Sequence, residues 1–87
     1  MFLAKVVGKI VSTTKHEALN GKKILIVSPI DFNGQLDQSQ LVSLDGVGAG
    51  IGDQVLVCNG SVAQYMFGEK LPIDSAIISI IDSIEKS

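Results

Sequence analysis

At 87 residues and 9.2 kDa the chain is one domain, residues 1–87. The usual scaling gives it roughly 5,000 Å² of folded surface around a thin core. Its 46% hydrophobic content and mean hydropathy of +0.40 exclude disorder and predict further burial against a partner. The net charge is −2 and all seven basic residues are lysine, so nucleic acid is excluded as the expected partner, and no apolar run approaches the roughly 18 residues of a membrane span.

Phe2–Val11 is the first strand-forming block, followed by a polar stretch from Ser12 to Glu17. Asn20–Gly21 marks a turn ahead of a dense β-branched run, Lys22–Ile30, in which Pro29 signals an edge or a bulge. Asp31–Phe32–Asn33–Gly34 is a second turn, Leu41–Leu44 a short strand, and Asp45–Gly52 a glycine-rich loop. Asp53–Cys58 alternates as a strand does, with Val55 and Val57 on one face. Ser61 is the expected N-cap of one or two helical turns over Val62–Phe67. Short strands with closely spaced turn signals predict a small barrel or sandwich. At the C-terminus, Ile77, Ile78, Ile80, Ile81 and Ile84 have helical spacing, while five isoleucines in eight residues are strand chemistry. Spacing alone leaves that segment open.

The glycines at 46, 48, 50 and 52 invite a phosphate-loop reading but fail its terms. The spacing is wrong for a dinucleotide fingerprint, a strand follows where a helix is required, and no Gly-Lys-Ser/Thr occurs. The glycines therefore signal unusual backbone angles or close approach. His16, the only histidine, sits in a polar turn with no nucleophile at a useful spacing. Cys58 cannot form an internal disulfide, which fits a reducing, intracellular setting, and it is expected to act as a small buried apolar residue. Asp31, Asp53, Asp74 and Asp82 are explained by turn chemistry. Tyr65 and Phe67 are better explained by core or interface packing than by a stacking platform for bases. The Gly-Asp-x-Val hairpin at Gly52–Val55 is weakly similar to those of biotinyl and lipoyl carrier domains, but Lys70 lacks the exposed hairpin-tip setting of their lysine. No catalytic residue, cofactor site or metal site is predicted, and the chain is not expected to be an enzyme.

Four segments in order carry a more specific signal: Gly8–Lys15, Leu19–Val27, Asp45–Val57 and Pro72–Asp82. Together they resemble the EutN/CcmL family of bacterial microcompartment vertex proteins, over nearly the whole chain. The resemblance implies a mainly β fold, a small five-stranded OB-like barrel with one short helix, assembled as a cyclic homopentamer. It also implies a structural role: capping the vertices of a shell whose facets are hexameric proteins, in the bacterial cytoplasm. Ala76–Asp82 is then a strand. Gly48, Ala49 and Gly50 are expected nearest the five-fold axis, and Gln64, Ile77, Ile78 and Ile80 at the subunit interface. Gln64 stands where many relatives carry arginine, so its contact is expected to differ from theirs. A small ligand-binding barrel, or an accessory subunit of an enzyme complex, is the alternative.

Overall fold

The computed structural model describes residues 1–68 and 71–87; Lys70 lies outside them. Five strands form β1 (Phe2–Ile10), β2 (Ile24–Pro29), β3 (Leu41–Asp45), β4 (Gln54–Asn59) and β5 (Ser75–Ile80). They close into a barrel in the order β1-β2-β3-β5-β4. Every neighbouring pair is antiparallel except β3 with β5. The mainly β, OB-like barrel implied by the resemblance is therefore the architecture of the subunit.

Alternation along each strand selects the core. Ala4 and Val6, Leu25 and Val27, and Val55 and Val57 are all fully or almost fully buried, while Lys5, Ile26 and Leu56 between them are more exposed. Ile77 and Ala49 complete the cluster, and Phe2 packs against its edge. Irregularities in register between Val6 and Gly8 of β1 and between Leu56 and Val57 of β4 bend the sheet enough to close it. Pro29 ends β2 opposite Ala4, where its missing N–H costs the ladder least.

The C-terminal isoleucines form a strand despite their helical spacing. β5 is held on both sides, by β4 along its length and by β3 through Leu44–Ala76 and Asp45–Ile77. An isolated helix could not supply the burial that these β-branched side chains find there. The strand is shorter than expected, ending at Ile80, although the Ile81 N–H still donates to the Gln54 carbonyl at 2.8 Å. The expected helix after Ser61 is a short 3-10 turn, Ser61–Tyr65. Gly60, at φ +87°, occupies the cap without a side-chain bond, so Ser61 lies inside the turn and caps nothing.

Gly46 is where the barrel wall comes closest to the loop that follows β3. A β-carbon there would sit 2.8 Å from the Ile77 carbonyl oxygen and 3.5 Å from the Phe67 ring. Gly46→Ala is expected to lower stability by about 1–3 kcal/mol, since the obstructing atom is backbone and cannot swing away. Urea unfolding followed by circular dichroism measures it, and an unchanged midpoint would refute the close approach.

Candidate functional site

Two carboxylates organise the glycine loop between β3 and β4. Asp45 Oδ1 accepts from the Val47 and Ala49 amides at 3.1 Å each, and its Oδ2 accepts from the Gly48 amide at 3.0 Å. Asp53 Oδ2 accepts from the Gly50 amide at 2.9 Å. Four successive N–H groups are therefore already satisfied. The Asp45 side chain is only 4% exposed, and Lys23 Nζ lies 3.5 Å from its Oδ2 while also donating to the Ala49 carbonyl. An incoming phosphate would meet two carboxylates where a phosphate loop offers free amides. The arrangement is a built, anion-filled turn, so the failed fingerprint in the sequence has a structural counterpart.

Within this loop Gly48 is exposed at φ +85°, with open space where a side chain would go. Gly50 is half-buried beside Asp53. The other site residues separate into two groups. Gln64 and Ile78 are half-buried, and Ile80 is 37% exposed, so each has surface to offer. Ala49 and Ile77 do not. Both belong to the core cluster, at 0% and 1% exposure, because the loop folds inward at Ala49 and β5 turns Ile77 into the bore. Within the subunit these two side chains therefore face the core and not the surface.

His16 is exposed and caps a 3-10 turn over Glu17–Leu19, its Nδ1 accepting from the Ala18 amide at 3.1 Å. Cys58 is a buried free thiol paired in register with Ala76, packing as a small apolar group. Asp31 organises its turn through the Asn33 and Gln35 amides, at 2.8 and 2.9 Å. Tyr65 is 60% exposed, and Phe67 is half-buried with Lys22 Nζ 5.9 Å from its ring centroid. Reasoning from sequence missed Asp45 as the organiser of the glycine loop. The signal was available, since an aspartate followed by amides two to four residues on is a recognisable Asx arrangement.

The residues converge on no reaction centre. They do leave apolar surface uncovered: among the described residues fourteen large hydrophobic side chains, Val47, Ile51, Val62 and Tyr65 among them, are substantially exposed. The family model described as "Ethanolamine utilisation protein EutN/carboxysome" matches residues 1–82. The chain belongs to the EutN/CcmL family. It is 42% identical over 89 residues to the microcompartment shell vertex protein PduN of Salmonella typhimurium, covering 97% of this chain and 98% of that protein. The carboxysome shell vertex protein CcmL of a Nostoc species is 43% identical over 86 residues, covering 97% of this chain and 85% of that one. Among solved structures, the pentameric microcompartment shell protein GrpN of Rhodospirillum rubrum superimposes with a TM-score of 0.89 at 41% identity. That match covers 99% of this chain and 100% of GrpN. These EutN/CcmL relatives are named for a structural place in a shell and not for a reaction.

Asp45→Ala removes the acceptor for three amides and is expected to cost roughly 2–3 kcal/mol. Hydrogen exchange at Val47, Gly48 and Ala49 should quicken more than tenfold, while the β4 amides stay protected. Uniform exchange across the barrel would instead mean that the carboxylate holds the whole fold.

Proposed function

We propose that copies of this chain assemble into a cyclic homopentamer that caps the vertices of a bacterial microcompartment shell, in the bacterial cytoplasm, and closes facets built of hexameric shell proteins. The observation that carries this reading is the match to the pentameric GrpN subunit, which covers 99% of this chain and 100% of that one. The physics agrees with it. A flat layer of hexagonal tiles cannot close on itself, and five-fold units supply the missing curvature. A cyclic ring uses heterologous contacts, covering two different faces of every subunit. The exposed hydrophobic side chains of this barrel give it apolar surface for both. The role is geometric: the chain contributes shape and contact area, and no bond is made or broken.

Within the ring, Gly48 and Gly50 are the positions proposed nearest the five-fold axis, with Gln64, Ile78 and Ile80 toward the neighbouring subunit. Gly48 suits a crowded axis because it adds no side chain to a loop whose shape Asp45 already holds.

Native mass spectrometry tests the assembly directly. Five copies of 9.2 kDa give about 46 kDa. A monomer at micromolar concentration would leave the barrel intact and remove the vertex role. Mixing the pentamer with hexameric shell proteins should give closed polyhedra by electron microscopy, where hexamers alone give open sheets or tubes. Gly48→Leu should prevent ring formation or block the central opening, and Gly48→Asn, of similar size but tolerant of a positive φ, should do the same, which separates crowding at the axis from backbone strain. Normal pentamers with an unchanged opening in Gly48→Leu would remove Gly48 from the axis.

A further inference from the structure

Asparagine is followed by glycine three times in this chain, at Asn20–Gly21, Asn33–Gly34 and Asn59–Gly60. The pair carries a chemistry of its own. The backbone nitrogen after an asparagine can attack the side-chain carbonyl carbon and close a five-membered imide, and glycine obstructs that approach least. All three pairs share the local chemistry, so the fold decides which of them reacts.

Two of the pairs are fastened. The Gly34 N–H donates to the Asp31 carbonyl at 3.0 Å, and Asn33 Oδ1 accepts from Lys86 Nζ at 3.1 Å. The Gly60 N–H donates to the Asp74 carbonyl at 2.8 Å, and Asn59 Oδ1 accepts from the N-terminal ammonium at 2.9 Å. Asn59 is also the last residue of β4, paired in register with Ser75. In both pairs the attacking nitrogen and the group it must reach are held by bonds that have to break first.

Asn20–Gly21 is built differently. Both residues are exposed, and they are the central pair of a turn closed by the Lys22 N–H donating to the Leu19 carbonyl at 3.1 Å. Asn20 at φ −61° and ψ 135°, with Gly21 at φ +80°, gives a type II turn. The central N–H of such a turn takes no part in closing it. Among the described residues neither the Gly21 N–H nor the Asn20 side chain has a hydrogen-bond partner. A β-carbon on Gly21 would meet no atom within 4 Å, so nothing crowds the turn. Its central peptide can flip between the type II and type I arrangements while the closing bond stays in place. Rotation about the Asn20 Cα–C bond, the motion of that flip, is what carries the Gly21 nitrogen to the side chain.

We propose that Asn20 is a site of spontaneous covalent modification, deamidating ahead of Asn33 and Asn59. The Gly21 nitrogen gives up its proton and bonds to Asn20 Cγ, and the side-chain nitrogen leaves as ammonia. Water then adds to either imide carbonyl and opens the ring, giving aspartate or isoaspartate with no oxidant or reductant consumed. Either product puts a new carboxylate two residues before Lys22 and three before Lys23, whose Nζ holds Asp45 and the Ala49 carbonyl. The isoaspartyl product also lengthens the backbone by one carbon inside the turn. The proposal does not rest on the pentameric reading.

The test incubates the purified full chain, in its native assembly, at mildly alkaline pH beside a sample unfolded in urea. Proteolysis and mass spectrometry follow each asparagine with time, and an isoaspartyl methyltransferase with a labelled methyl donor counts isoaspartate. In the folded protein Asn20 should convert about tenfold faster or more than Asn33 and Asn59, whose reacting groups are hydrogen-bonded. In urea the three rates should converge, and Asn20→Gln, which would have to close a larger ring, should lose the early product. Equal rates in the folded protein, or a lead by Asn33 or Asn59, overturn the proposal. So does an Asn20 that reacts only in urea, an equal lead for Asn20 in urea, or an early isoaspartyl signal that persists in Asn20→Gln.

Discussion

The narrowness of a five-stranded barrel governs most of what this molecule does. Its bore accepts small aliphatic side chains, and alanine, valine, leucine and isoleucine fill it: Ala4, Val6, Leu25, Val27, Val55, Val57 and Ile77. No aromatic ring belongs to that buried set. The apolar residues that do not fit are displaced to the outer wall and the loops, where Phe32, Val62 and Tyr65 are found. A narrow bore thus makes the subunit incomplete, and membership of a family with pentameric members gives the displaced surface somewhere to go.

The strands were legible in the sequence because each is short, β-branched and bounded by turn residues. Val55 and Val57 illustrate this: the alternation predicts a shared face, and both side chains are buried. The C-terminal isoleucines were harder because local spacing cannot report a strand that is paired on both sides. Only the resemblance decided between strand and helix there. The short helix was mistaken in kind. Ser61 is a good cap by type, but Gly60 already provides the reversal at positive φ, and the chain then winds too briefly for a side-chain cap to matter.

The inward facing of the Ala49 and Ile77 side chains was not legible in the sequence: the register of β5 decides it for Ile77, and the fold of the loop held by Asp45 decides it for Ala49. The surface groove beside Phe32 was illegible for a different reason. Leu3, Ile30 and Leu56 are separated widely in sequence, and only barrel closure brings them beside Phe32. Asp45 was visible as part of the family motif, while its service to three amides had to be seen in three dimensions.

The pairing that closes the barrel also orders events in time. β1 pairs with β4 from Phe2–Val57 to Lys5–Gln54, and the parallel contact joins Leu44 to Ala76. Both join segments far apart in the chain, so loop-closure entropy opposes them until late in folding. During synthesis, β1, β2 and β3 can pair as a meander as they emerge, but the wall that carries Leu3 against Leu56 exists only after β4 arrives. The last strand then locks the bore with Ile77. A chain still on the ribosome therefore carries an unfinished outer wall until its last strand is in place.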